Sequence, residues 1–291
     1  MSSANLIKEL RERTGAGFVD CKKALEASAD DIDKAIEWLQ KNGAAKAIKK
    51  AGNIAAEGLV NVVVNDQAAI IYEVNAQTDF VARNEDFKKL VAEIGQILLS
   101  APTASAEQLL ELKDANGKTI NDLTTQATAL IGEKISFRRA KSVLLNQNQQ
   151  VGTYVHFDGS KAAIFVAQGG SAELLKGIAM HITAMNPEYL NQAAVPGEKI
   201  EQLKAQFVDS PALKNKPEQI KANILAGMLR KALSESVLLE QDYVVEPGKT
   251  IGKLLEEQKI QALAMYRFEV GEGIEKQIID FATEVAAQIK K

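Results

Sequence analysis

The chain repeats itself, and the repeat limits the possible folds more than any bulk property. Ala68-Ala69-Ile70-Ile71 is echoed by Ala162-Ala163-Ile164-Phe165, each the second strand of a predicted hairpin. The first hairpin joins 59–64 to 68–74 across Asn65-Asp66, and the second joins 151–156 to 162–166 across Asp158-Gly159. An amphipathic helix follows each: Phe87, Leu90, Val91, Ile94, Ile97 and Leu98 line one face in the first copy, and Leu174, Leu175, Ile178, Ala179 and Ile182 in the second. Lys118-Thr119-Ile120 and Lys249-Thr250-Ile251 then open a further helix in each copy. Phe137-Arg138-Arg139 and Tyr266-Arg267-Phe268 mark the closing strands, nineteen and seventeen residues after those lysines. Two related hairpin–helix–helix–strand units are therefore expected to pack as one α+β core.

A duplicated scaffold shows its additions where the copies differ. Sixteen residues separate Ala68 from the helix cap Asn84, but only nine separate Ala162 from Ser171. The surplus is the stretch 75–84, N-A-Q-T-D-F-V-A-R-N, which reads as a loop longer than a strand-to-helix connection needs. Thr78, Asp79, Phe80 and Val81 form its centre. Two readings are open. Phe80 and Val81 fold back over the core while Asp79 makes a turn bond, or the aromatic stands outside beside a carboxylate. In the second case the pair suits insertion next to another protein's Mg²⁺–phosphate site. An aromatic there displaces a structural element, and the carboxylate disturbs ligands that Mg²⁺ holds in near-ideal octahedral geometry.

The second copy carries the other surplus, 188–245, between its two helices. It contains helical stretches 198–207 and 217–233 joined by a short Pro/Lys turn, an antiparallel helical hairpin projecting from the core. Self-association, contact with a partner and packing alone are the uses open to it. The expected organisation is an N-terminal three-helix domain with linker (1–53), core unit one (54–147), core unit two (148–187 and 246–270), the inserted hairpin (188–245) and a C-terminal helical module (271–291). In the last, Ile274, Ile278, Phe281, Ala282, Val285 and Ile289 share a face, and Gly271 and Gly273 loosen its junction to form an arm.

Residues 4–45 read as three short helices, broken by Thr14-Gly15-Ala16-Gly17 and by 28–31, with Gly43 stopping the third. Lys41, Lys46, Lys49 and Lys50 then lead to Gly52 as a solvated linker, since no aromatics interleave with them. Phe18 and Val19 follow the glycine turn, either as the first turn's share of the core or as a small docking knob.

Composition narrows the chemistry. Of 291 residues 46% are hydrophobic and 25% charged, as in an ordinary globular protein. A net charge of −3 leaves no general electrostatic footprint for nucleic acid. Cys21 is the sole cysteine, so no internal disulfide forms and a reducing compartment fits. No apolar run is long enough to span a membrane, and the opening M-S-S-A-N-L-I-K-E-L lacks a signal peptide's apolar region, so a cytoplasmic protein is expected. Neither His156 nor His181 has metal-ligand spacing to the cysteine, and a P-loop, serine elbow, kinase signature and HExxH are all missing. A hydrolytic or redox enzyme is not expected, no cofactor is called for, and binding is the better class.

Several long motifs in order resemble the bacterial translation elongation factor Ts family, over the whole chain. They are L-I-K-E-L-R-E-R-T-G-A-G-F-V-D-C-K-K-A-L (6–25), N-A-Q-T-D-F-V-A-R-N, I-A-M-H (178–181) and R-F-E-V-G-E-G-I-E-K (267–276). The resemblance implies a guanine-nucleotide exchange factor whose partner is the GTPase elongation factor Tu. It makes the N-terminal helices a ubiquitin-associated-like domain on the GTPase's nucleotide domain. Thr78, Asp79, Phe80 and Val81 become the segment that dislodges Mg²⁺, with Arg11, Phe18, Val19 and His156 as secondary contacts. Phe18-Val19 departs from the Met-Met of some members. Core unit two would meet the GTPase's third domain, the helical hairpin would form a homodimer, and the C-terminal helix would be an arm on the nucleotide domain. No direct nucleic-acid or membrane contact is implied. The rival reading is a scaffold or chaperone-like binder without exchange activity, for which Asp79 and Phe80 are dispensable.

Overall fold

The computed structural model describes residues 3–14, 16–208, 210–214 and 216–275. The helix expected over 274–289 lies, beyond residue 275, outside the described residues. The chain begins with α1 (Ser3–Thr14), α2 (Phe18–Ala27) and α3 (Ile32–Lys50). Leu6, Leu10, Cys21, Ala24, Leu25 and Ala35 close a small core among them. Asp31 caps α3 by accepting the Lys34 N–H at 3.0 Å. Gly43 does not stop that helix, and the expected linker is instead its last two turns. A Cβ at Gly43 would meet the Ala129 Cβ at 2.6 Å, so the glycine lets α3 lie close against a helix of the core. That close approach outweighs its cost of about 1 kcal/mol within a helix.

Strands β1 (Glu57–Val64) and β2 (Ala68–Ala76) form the first hairpin, followed by a single turn α4 (Asp79–Ala82) and by α5 (Glu85–Ser100). Helix α6 (Ile120–Ile131), against which α3 rests, leads to β3 (Ile135–Leu144). The second copy comprises β4 (Gln149–Val155), β5 (Lys161–Gln168) and α7 (Ala172–Met185). The inserted helices α8 (Gly197–Val208) and α9 (Glu218–Leu233) follow, then α10 (Ile251–Glu257) and β6 (Gln261–Glu269). Equivalent threonines, Thr119 and Thr250, cap α6 and α10, so the two K-T-I motifs are helix starts built alike.

The strands form two antiparallel sheets, ordered β1-β2-β3 and β4-β5-β6. Val60, Ala69 and Ile71 of the first sheet pack on Ala162, Ile164 and Val166 of the second. The outer face of the first sheet, with Ile70, Tyr72 and Val74, is covered by α5 and α6; that of the second, with Ala163 and Phe165, by α7 and α10. Both central strands are thus buried on both faces, which is why neither alternates polar with apolar residues.

One residue of β2 breaks that apolar run. Glu73 is fully buried on the face between the sheets. A bulge supplies its partners: Glu73 pairs with Arg139 and Val74 with Phe137, leaving Arg138 as the extra residue. Both guanidiniums reach the carboxylate, Arg138 Nη1 at 2.9 Å and Arg139 Nε at 2.6 Å. The Gly271 N–H, just past β6, donates to it at 2.7 Å. Arg139 also donates to the Glu269 carbonyl at 3.1 Å and lies 4.0 Å over the Phe268 ring, while Arg138 donates to the Glu272 carbonyl. At Gly271 and Glu272 the junction is therefore pinned rather than loosened. Gly271 has a φ of +71°, and a Cβ there would fall 2.2 Å from the Ala56 carbonyl oxygen. Both constraints demand glycine.

Burial pushes the Glu73 carboxyl up, but the Gly271 N–H and the Arg138, Asn75 and Arg139 bonds together hold it below the usual carboxylate range. Its stabilising contribution is present above the unfolded value of about 4.3 and is lost as pH falls through the lower folded value. Removing a buried partner typically costs 3–5 kcal/mol, and these arginines keep some solvent. Glu73→Ala is therefore expected to lower the unfolding free energy by about 3 kcal/mol in urea titrations at pH 7. Below pH 4 the difference from wild type should shrink; an equal loss at both pH values would mean the carboxylate's charge is immaterial.

Candidate functional site

The stretch 75–84 is ordered from end to end, and local sequence explains why. Thr78 has extended backbone and its hydroxyl accepts the Val81 N–H at 3.4 Å, an N-cap that winds residues 79–82 into one turn. Asn84 then caps α5 by accepting the Asp86 N–H at 2.7 Å. Two caps six residues apart turn the expected loop into a helical corner. A single helical turn spreads its four side chains around the axis, so one face of it can be buried while another stays in solvent. Val81 and Ala82 enter the core beneath the first sheet's helices, whereas Phe80 stands 80% exposed. Asp79 pairs with Arg83 at 3.0 Å, one helical turn on, and both remain in solvent. Each of the two sequence readings thus holds for one residue of the pair: the valine anchors and the aromatic projects.

The base of the turn is gripped from the segment between α6 and β3 and from the residues just past α3. Glu133 accepts both the Thr78 N–H, at 3.1 Å, and the Thr78 hydroxyl, at 3.0 Å. Gln77 Oε1 accepts the Lys134 N–H at 2.8 Å and the Asn53 side-chain N–H at 3.1 Å. Lys134 Nζ closes the set by donating to the Asn53 carbonyl at 2.9 Å. Single exposed apolar residues are common on soluble proteins. Phe80 differs in riding on a turn fixed from both sides. Sequence reasoning passed over Glu133 and Gln77. The pairing of Glu133 with Thr78 spans 55 residues, and no local signal announces it.

The remaining predicted residues lie on other surfaces. Arg11 is exposed on α1, and Phe18 and Val19 are exposed in the first turn of α2, so they are not part of the helical core. His156 follows β4, in the turn of the second hairpin, with Nδ1 3.4 Å from the Tyr154 hydroxyl. Beside it stands Phe157, a residue no sequence expectation named, 90% exposed with its ring centroid 4.6 Å from that of His156. An aromatic immediately before the Asp-Gly turn was the available signal. The other histidine is structural. His181, buried on α7, donates from Nε2 to Gln241 at 2.9 Å and accepts the Val244 N–H at Nδ1. Burial pushes its pKa down, partly offset by the Gln241 bond, so it is a neutral tie holding the strap that returns from α9. Among the described residues no group of His, Cys, Asp and Glu side chains could hold a metal ion, and no helix is long and apolar enough to cross a membrane. What this surface can do chemically is to present a rigid aromatic and an adjacent carboxylate to something else.

Comparison with known proteins agrees along the chain. The family model described as Elongation factor TS matches residues 77–272, and that described as Elongation factor Ts, mitochondrial, N-terminal matches residues 1–47. The chain is 54% identical over 288 residues to the elongation factor Ts of Mycoplasmopsis pulmonis, which spans 99% of this chain and 98% of that protein. It is 46% identical over 291 residues to that of Mycoplasma mobile, covering 100% and 99%, and 42% identical over 288 residues to that of Pediococcus pentosaceus, covering 99% and 98%.

The geometry separates anchor from projection in a way that stability measurements resolve. Phe80→Ala should change the unfolding free energy by no more than about 0.5 kcal/mol, as at other solvent positions. Val81→Ala should cost about 1–2 kcal/mol through lost burial and the cavity left behind. Equal costs in urea titrations would place the two side chains in the same environment.

Proposed function

The chain belongs to the elongation factor Ts family, and on that premise we propose that it is the guanine-nucleotide exchange factor of the GTPase elongation factor Tu. It makes and breaks no covalent bond; it acts by binding. The observation that carries the reading is Phe80, exposed on a turn whose base and following residues are fixed. Such a side chain enters a partner without first being ordered, so little conformational entropy opposes its insertion.

In this reading Phe80 displaces an element beside the nucleotide of the GDP-bound GTPase. Asp79, released from Arg83, brings negative charge towards the partner's Mg²⁺ ligands. Weakening the ion removes much of the charge neutralisation that holds the diphosphate, and GDP leaves. Thr78 and Val81 act from behind, as cap and anchor. Arg11, Phe18, Val19 and His156 serve as secondary contacts, and the helical hairpin and C-terminal segment as further points of attachment. The coupling is reciprocal: whatever this protein subtracts from nucleotide affinity, nucleotide subtracts from its own affinity for the GTPase. Neither guanine nucleotide is preferred by the wedge, so net direction follows the cellular supply of GTP, in the cytoplasm where elongation takes place.

Release of a fluorescent GDP from elongation factor Tu tests the reading. Wild-type protein should accelerate release, and Asp79→Ala/Phe80→Ala should slow the accelerated rate at least about tenfold, the equivalent of about 1.4 kcal/mol of barrier. No acceleration by the wild type would leave only a scaffold or chaperone-like binder. Full activity of the double variant would move the wedge elsewhere on the surface.

A further inference from the structure

A one-turn helix has too few internal hydrogen bonds to hold a fixed direction by itself. Something outside α4 must set the angle at which Phe80 leaves the surface. Arg83 cannot, because its bond to Asp79 joins two solvent-exposed side chains within the same corner and such pairs contribute little. The core fixes Val81 and Ala82, which settles one end. The other end is Thr78, and the described contacts there converge on one carboxylate.

We propose that Glu133 is the positioning residue of the exchange wedge. Its carboxylate takes the Thr78 N–H and hydroxyl together, which orients the hydroxyl that caps α4 and so aims the turn carrying Phe80. Glu133 is itself well placed to act as a rigid mount. It follows Gly132, whose left-handed conformation (φ +83°) terminates α6, and it precedes Lys134, whose N–H is held by Gln77. Gln77 in turn binds Asn53, whose N–H returns to the Lys50 carbonyl at the end of α3. The same α3 packs on α6 at the Gly43–Ala129 contact. The wedge is thereby tied, through two adjacent brackets, to the helix that carries the N-terminal unit. A partner held by that unit meets Phe80 at a set position, which is the geometric condition for converting binding into displacement. The inference rests on the exchange reading and adds to it the group that orients the wedge, a residue that itself touches neither nucleotide nor metal.

The test is a titration of GDP release against exchange-factor concentration, using full-length protein. Glu133→Ala should lower the maximal release rate about tenfold while changing the half-saturating concentration by less than about twofold, because the docking surfaces remain. Glu133→Gln keeps an oxygen that can accept from Thr78 and should recover most of the rate; Gln77→Ala, which removes only the second bracket, should fall between them. In a Phe80→Ala background Glu133→Ala should have no further effect, since it acts through that ring. Circular dichroism melts establish that each variant is folded. If Glu133→Ala is not, Glu133→Asp carries the test, because shortening the side chain by one methylene withdraws the carboxylate from Thr78 and should lower the maximal rate likewise, a wild-type rate overturning the role. A folded Glu133→Ala with the wild-type maximal rate, or a further loss of the full size in the Phe80→Ala background, overturns the positioning role. If Phe80→Ala alone is as active as wild type, it is the wedge reading that fails. A slow Phe80→Ala beside an unaffected Glu133→Ala rejects only the present inference.

Discussion

A carboxylate buried between two sheets must be paired, and the pairing of Glu73 organises much of this molecule. Desolvating an isolated charge would cost several kcal/mol. Two guanidiniums, the Asn75 amide and the Gly271 N–H replace the lost water. To bring both arginines to one side, β3 must bulge; to bring the Gly271 N–H, the end of β6 must cross to the first sheet. The apolar contacts between the sheets are nondirectional and would tolerate sliding. The ionic cluster is directional, so it fixes the register of one repeat on the other.

That fixed core is the platform for the turn that carries Phe80. The corner at 77–84 grows out of β2, the strand that holds Glu73, beginning four residues beyond it. Its inner residues join the core of the first unit, and its base is gripped by the segment between α6 and β3. The second copy has no such corner: Gly169-Gly170 leads directly to the Ser171 cap. The duplicated scaffold closes the same connection without the extra residues, so the addition serves something other than closure.

Much of this was legible in the residues. The amphipathic helices, the hairpins and the threonine caps follow from local rules, and the comparison of copies isolated the stretch that matters. Reading Gly43 as a stop failed because a glycine one turn beyond the apolar Leu39 resembles a C-cap, whereas here its missing side chain admits Ala129. The expectation that Gly271 loosens its junction failed for a related reason. Glycine permits both freedom and close approach, and only the neighbour, the Ala56 carbonyl, shows which is in use.

Sequence by itself determined the main helices and strands, though not the turn at 79–82 or the last turns of α3, that the core is double, and that Asp79 and Phe80 sit in an inserted stretch. These depend on periodicity, capping and spacing, all of which act over a few residues or by repetition. Only the tertiary structure decided that Val81 turns in while Phe80 turns out, that Glu73 is a buried charge and that Glu133 grips Thr78. Those outcomes depend on partners 55 to 198 residues away in the chain, and no local pattern encodes such a pairing. The stretch that the sequence marked as an over-long loop is, by those distant contacts, a braced corner.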